Sequence, residues 1–70
     1  MLLIPMDEFK YSKESRTVIL QAAKTEFAQK GYDGARLSSI ANRAGVNQAL
    51  IHYYFSNKEK LYHEVLQYLF

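Results

Sequence analysis

Apolar residues recur along this chain at intervals of three and four, the spacing that places side chains on one face of an α-helix. One such stripe consists of Val18, Ile19, Ala22, Ala23 and Phe27. A second, with the spacing i, i+3, i+4 and i+7, consists of Leu37, Ile40, Ala41 and Ala44. No stretch alternates apolar and polar residues as a half-buried strand does. The pattern therefore predicts an all-α fold.

Capping residues and glycines divide this pattern into four predicted helices. Ser12, Asn47 and Asn57 are residue types that cap helix N-termini, although a capping box of Ser56 with Glu59 would start the last helix one residue earlier. Glycine favours the left-handed conformation that ends a helix. The predicted helices are 12–31, ended by Gly31 and followed by a loop at 32–34; 37–44, ended by Gly45; 48–55; and one that starts at 58.

The second and third predicted helices have the features of a helix-turn-helix. Two closely crossing helices need a small residue at the contact, a turn residue with positive φ and an apolar anchor, and Ala41, Gly45 and Ile51 meet these needs. We expect a homeodomain-like three-helix domain at 12–56, an N-terminal arm at 1–11 and a fourth helix at 57–70.

The outer face of the third helix suggests a function. With Ile51 and Phe55 facing inward, a step of about 100° per residue turns Ala49 and Tyr53 outward, with Leu50 and His52 beside them and Gln48 in the first turn. Glutamine can bond adenine through two hydrogen bonds, and small or apolar side chains suit the thymine methyl group. The face therefore predicts a helix that reads the major groove of double-stranded DNA.

The net charge of +2 is uninformative, but its distribution is not. Residues 36–60 carry four basic side chains (Arg36, Arg43, Lys58, Lys60) against Glu59 alone, giving +3. That excess suits phosphate attraction, although a few solvated charges would look the same. A lysine in the first turn of a helix opposes the helix dipole, so Lys58 is a candidate phosphate ligand.

Composition narrows the remaining possibilities. The chain has no cysteine, its carboxylates are scattered and no run of about 20 apolar residues could cross a bilayer. We expect a cytoplasmic protein that is not an enzyme and needs no cofactor. His52 and His63 lie on different predicted helices, which argues against a metal site. The rival hypothesis is a small helical protein-interaction module that uses the tyrosines of the third helix and the apolar end of the fourth.

Three sequence motifs resemble those of a known family. AxxxFAxxGY, IAxxAGV and YFxxKExL occur in this order within residues 18–66 and are similar to the DNA-binding domain of tetracycline-repressor (TetR) family regulators. The resemblance implies a transcriptional regulator, expected to be a repressor, that binds a palindromic operator as a homodimer. It also implies a C-terminal domain that binds a small-molecule effector and dimerises. The chain ends in an uncapped apolar run, so we expect it to be the front part of such a protein.

The resemblance also suggests roles for individual residues. Gln48, Ala49 and Tyr53 stand where family members contact bases or nearby phosphates, and Lys58, Arg36 and Ser38 are candidate phosphate contacts. Ser38 could equally be a solvated serine at a helix start. Two further positions have alternatives: Leu50 contacts the groove or packs on the first helix, and Tyr54 reaches phosphate or lies at the edge of the core. His52 replaces the usual family tyrosine and is expected to contact phosphate.

Overall fold

Four α-helices make up residues 12–69, the part of the chain that the computed structural model describes. They are α1 (Lys13–Gly34), α2 (Leu37–Ala44), α3 (Gln48–Phe55) and α4 (Lys58–Leu69). No strand occurs within 12–69, which confirms the predicted all-α class. The predicted N-terminal arm, residues 1–11, lies outside the described residues.

Three polar side chains begin the helices that were predicted from them. Ser12 Oγ accepts a hydrogen bond from the Ser15 amide at 3.2 Å. Asn47 Oδ1 accepts one from the Ala49 amide at 2.8 Å, and Asn57 Oδ1 accepts one from the Lys60 amide at 2.8 Å. Each bond satisfies a donor that the first helical turn would otherwise leave without a partner. Asn57, rather than the alternative Ser56, therefore caps α4.

Two glycines adopt positive φ where the sequence predicted chain breaks. Gly45 has φ 72° and ψ 32° and ends α2, with the Val46 amide donating to the Ala41 carbonyl at 3.0 Å. Gly31 has φ 72° and ψ 173°, which interrupts α1. The chain then makes one more helical turn to Gly34, where a loop was predicted, because the Ala35 amide bonds back to the Gly31 carbonyl at 3.1 Å.

All four helices contribute side chains to one apolar core. The most deeply buried of these, each with at most 2% of its surface exposed, are Ile19, Ala23, Ile40, Ile51, Phe55, Leu61 and Val65. Burying one of the larger side chains in this set (all but Ala23) contributes about 1.5–3 kcal/mol. Since Ile51 and Phe55 are both in the core, the orientation of α3 about its own axis is fixed by packing.

A buried carboxylate joins α1 to both ends of α2. Glu26 is 0% exposed. Its Oε2 accepts a hydrogen bond from the Arg36 amide at 3.2 Å, and its Oε1 accepts one from Arg43 Nε at 3.0 Å. Lys30 Nζ lies 3.1 Å from Oε2. Because Arg36 provides no side-chain cap for α2, a residue from α1 holds the start of that helix instead.

These contacts decide the protonation state of Glu26. Burial alone would raise the pKa of its carboxyl group, because the charged form loses hydration. Hydrogen bonds from Lys30, Arg43 and the Arg36 backbone, together with the charge of Lys30, outweigh that effect and leave the pKa below its ordinary value. Glu26 is therefore an ionised carboxylate within the domain at neutral pH.

Candidate nucleic-acid interface

Four side chains form the outer face of α3. All four are exposed: Gln48, Ala49, His52 and Tyr53. Tyr53 has 65% of its surface exposed, more than the other exposed large hydrophobic residues among those described. An exposed tyrosine beside a glutamine can offer both an apolar ring and hydrogen-bonding groups to base edges. These four side chains are the part of α3 that is most accessible to a partner.

Leu50 is a correction to the predicted face. It is only 3% exposed and belongs to the core, so of its two predicted alternatives the structure shows packing and not groove contact. The buried arc of α3 runs through Leu50, Tyr54, Ile51 and Phe55, about 140° wide at about 100° per residue. The sequence interpretation centred that arc on Ile51 and Phe55 and so turned Leu50 outward.

Tyr54 has the core-edge position that was its second predicted alternative. Its side chain is half-buried, and its hydroxyl lies 3.0 Å from the Ser12 carbonyl, to which it can donate. The same hydroxyl is 3.0 Å from Oγ of Ser15, which is fully buried. Tyr54 therefore ties α3 to the start of α1, and the structure lends no support to a phosphate contact.

Lys58 begins α4 and lies against an aromatic ring. Its Nζ is 4.6 Å from the centroid of the Tyr32 ring. Tyr32 in turn meets the ring of Tyr62 edge-on at 5.0 Å and lies parallel to Phe27 at 6.1 Å. Lys58 thus contacts Tyr32, which is one of a cluster of three aromatic rings contributed by α1 and α4.

Arg36 and Ser38 occupy the start of α2, and both are exposed. Arg36 has extended backbone (φ −126°, ψ 137°), and its amide is held by Glu26. Because Tyr32 precedes Arg36 closely in the chain, the contact between Lys58 and Tyr32 places the start of α4 next to the connection that leads into α2. Two of the candidate phosphate contacts therefore flank one connection.

The ion pairs divide the basic residues into two groups. Among residues 12–69, the ion pairs engage Arg16 with Glu64 at 2.5 Å, and Lys30 and Arg43 with Glu26. Arg43 also donates to Gln29 Oε1 at 2.6 Å. Arg36, Lys58 and Lys60 form no ion pair with any described residue. Lys13 and Lys24 on α1 are exposed and form no ion pair with a described residue either. Three of the five unpaired basic residues nevertheless lie within residues 36–60, and Arg43 is no longer among them.

The turn between α3 and α4 has unusual backbone geometry. Ser56 has φ 69° and ψ −59°, and the Asn57 amide donates to the Phe55 carbonyl at 2.7 Å, which closes a γ-turn. Positive φ is uncommon for a residue with a side chain. His52 Nδ1 lies 3.2 Å from the Ser56 carbonyl and donates to it in the tautomer that carries the Nδ1 proton.

Sequence interpretation missed two features of the structure around this surface. The only sign in the sequence that Glu26 is buried is its position one residue before Phe27 in an apolar stripe, and that sign is weak because two of its partners lie 10 and 17 residues away. The γ-turn at Ser56 had no sign at all, since serine is not a residue that favours positive φ.

Two other kinds of site are not found within residues 12–69. No group of three or more histidine, aspartate or glutamate side chains is arranged to hold a metal ion in this range. No helix within it is both long enough and apolar enough to cross a membrane.

Comparison with known sequences points to one family. The profile described as "Bacterial regulatory proteins, tetR family" matches residues 19–65. The HTH-type transcriptional repressor NicS of Pseudomonas putida is 39% identical over 56 residues, which are 80% of this chain and 26% of NicS. The HTH-type transcriptional regulator RutR of Escherichia coli is 46% identical over 61 residues, covering 79% of this chain and 29% of RutR.

A solved structure agrees with the fold. The crystal structure of HlyIIR, a hemolysin II transcriptional regulator, superimposes with a TM-score of 0.76 and 44% sequence identity. The match covers 79% of this chain and 31% of HlyIIR. The chain therefore spans between a quarter and a third of the length of these relatives.

Proposed function

This chain belongs to the TetR family of bacterial regulatory proteins, and on that premise we propose that it binds double-stranded DNA with sequence specificity through the outer face of α3. The observation that carries the proposal is this face itself. Four side chains on this face are exposed and lie outside the core, and none of them is lysine or glutamate: Gln48, Ala49, His52 and Tyr53. Base edges in the major groove complement such a surface.

Phosphate contacts would position the helix on the duplex. We assign them to Lys58 and Arg36, which form no ion pair with any described residue, and to the exposed Ser38. Contacts of this kind fix orientation and register, while base contacts supply specificity. The two cationic contacts give modest affinity that falls with salt, because each one releases counterions, whereas Ser38 would add a neutral hydrogen bond. The proposal is thus for a binding module and not for an enzyme.

The activity of the whole protein is a wider proposal. We infer that the protein represses transcription, and the similarity to NicS, which is a transcriptional repressor, supports this inference. Its place of action would be the bacterial cytoplasm, where its DNA target would be. A homodimer would read a palindromic operator, since twofold symmetry in the protein requires it in the DNA. A small-molecule effector would bind outside the segment described, a proposal supported by the greater length of the relatives.

Selection from a randomised duplex pool at low salt tests the proposal. Enrichment of a defined motif is expected, and the Tyr53→Ala variant should enrich a weaker or different motif. A matched control is Tyr68→Ala, because Tyr68 is also an exposed tyrosine (45%) but lies on α4; its motif should equal that of the wild type. Retention without any motif would contradict sequence-specific reading.

The rival function is a protein-interaction module. One observation favours it: Leu66 and Tyr68 on α4 are 37% and 45% exposed and would suit an apolar partner. If duplex DNA is not retained at any salt concentration, while Tyr68→Ala abolishes capture of a protein partner, this second function replaces the first.

A further inference from the structure

The aromatic cluster of Phe27, Tyr32 and Tyr62 lies beside the proposed DNA contacts, and DNA reading as proposed above gives it no role. Phe27 is 7% exposed and Tyr32 is 36% exposed. Phe27 and Tyr62 meet edge-on with centroids 5.0 Å apart, and Tyr62 also meets the edge of Tyr32 at 5.0 Å. Two anchored rings therefore hold the third at the surface.

The backbone at Gly31 makes this arrangement possible. Its φ of 72° interrupts α1, so that the ring of Tyr32 comes to lie parallel to that of Phe27, with an interplanar angle of 5°. A side chain at position 31 would be strained at this φ. The position of Tyr32 is thus set by the backbone as well as by ring packing.

The Lys58 ammonium group lies over the ring of Tyr32. Nζ lies 4.6 Å from the ring centroid, within the range of about 6 Å at which a cation is attracted to a ring face. At the first position of α4, the ammonium group also faces the positive end of the helix dipole. The ring therefore offsets an unfavourable position and orders a long side chain.

From these contacts we propose that Tyr32 is a positioning residue for Lys58. An ammonium group has three N–H donors, so a ring on one side leaves donors for a phosphate on the other. Ordering a lysine side chain costs rotamer entropy. If the ring has already met part of that cost in the free protein, phosphate binding is stronger. The inference rests on the proposed DNA-binding function.

The first test needs no DNA. A lysine held over a ring face shows upfield ring-current shifts of its ε-methylene protons in the NMR spectrum. We expect such shifts for Lys58 in the free domain, and their retention in Tyr32→Phe, which keeps the ring. Random-coil shifts for Lys58 in the wild type would overturn the inference, whatever the domain does with DNA.

The second test is a double-mutant cycle on the selected duplex. Tyr32→Leu keeps apolar bulk but removes the ring, and we expect it to weaken binding about threefold, in line with about 0.5–1 kcal/mol for an exposed cation–π contact. In a Lys58→Ala background, Tyr32→Leu should have no effect. With Lys58 present, Tyr32→Phe should keep most of the wild-type affinity, because it keeps the ring. Circular dichroism of each variant verifies that it is folded, and Tyr32→Met replaces Tyr32→Leu if the latter is not.

The outcomes separate this inference from the function beneath it. Equal weakening by Tyr32→Leu in both backgrounds would show that Tyr32 is only structural, and it would overturn the inference while DNA reading stands. If the wild type binds no duplex, the proposed function fails and the inference fails with it. Ring-current shifts together with a non-additive cycle support both.

Discussion

Basic side chains occur in two regions of this domain under opposite conditions. At the junction of α1 and α2, Lys30 and Arg43 are held by the buried carboxylate of Glu26. At the starts of α2 and α4, Arg36 and Lys58 have no carboxylate partner among the described residues. The comparison shows that a count of charges does not reveal which of them can meet a ligand. The first region should control stability, and the second should control binding.

The largest expected effect is on the buried region. Glu26→Ala should lower the free energy of unfolding by about 2–4 kcal/mol, since breaking a buried ion pair costs about 3–5 kcal/mol and both cations here can partly reach water. Urea denaturation followed by circular dichroism measures this change. A matched control is Glu59→Ala, which removes an exposed carboxylate from α4 and should change stability little. Equal effects of the two changes would remove the distinction between the regions.

Acid should act on the same buried region. Since folding lowers the pKa of Glu26 below its ordinary value of 4.5, the stability that this carboxylate contributes is present above that pH and is lost as the pH falls through the lower folded value. The melting temperature of the wild type should therefore drop below about pH 4.5. Glu26→Gln should melt lower at neutral pH and show a shallower acid slope, whereas Glu59→Gln should keep the wild-type slope.

The outer face of α3 should show the reverse behaviour. Tyr53→Ala should weaken binding to the selected duplex by about 1–2 kcal/mol, near the range for a good base contact, with little change in the melting temperature because Tyr53 is 65% exposed. Fluorescence anisotropy at fixed salt measures the affinity. Tyr68→Ala is the control, and an equal loss of affinity in that variant would mean that α3 is not the reading element.

Lys58 should affect salt dependence more than preference. Lys58→Ala should weaken binding to all sequences and reduce the slope of log affinity against log salt by about 1, as expected for one lost phosphate contact. Lys24→Ala serves as the control. Lys24 is exposed on α1, so this substitution removes the same charge at a different place. If both variants change the slope equally, only net charge matters and Lys58 has no specific phosphate contact.

The smallest effect is expected at the two turns around α3. Ser56→Gly should stabilise the domain by about 0.5–1 kcal/mol, because glycine adopts positive φ without steric cost. Gly45→Ser should do the opposite by about 1 kcal/mol, although a Cβ there would meet no atom within 4 Å. Thermal melts of the two variants decide this. A Ser56→Gly variant less stable than the wild type would show that the γ-turn is not strained.

Local chemistry made much of the fold predictable from the sequence. The bounds of α2 and α3 follow from helical spacing, and Ser12, Asn47 and Asn57 cap their helices because a cap depends on neighbours two or three residues away. Gly45 takes the left-handed conformation for the same local reason. These features need no knowledge of which distant residues meet.

The features that sequence reasoning missed depend on distant partners. Glu26 is buried because Arg36 and Arg43 come to it from another helix. Leu50 faces the core because the buried face of α3 is wider than Ile51 and Phe55 alone indicated. Helical spacing within eight residues does not determine where the edge of that face lies. The contact of Lys58 with Tyr32 joins α4 to α1, and it depends on the non-helical backbone at Gly31. The predicted contacts of Gln48, Ala49, His52 and Tyr53 with DNA remain predictions.

The most direct test of DNA reading by α3 is an NMR titration of the domain with its selected duplex, following each backbone amide. We expect the largest shift changes at Gln48, Ala49, His52 and Tyr53, with further changes at Arg36 and Lys58, while Lys24 on α1 and Tyr68 on α4 stay unchanged. Changes centred on Leu66 and Tyr68, with α3 unaffected, would contradict the claim that the outer face of α3 reads DNA.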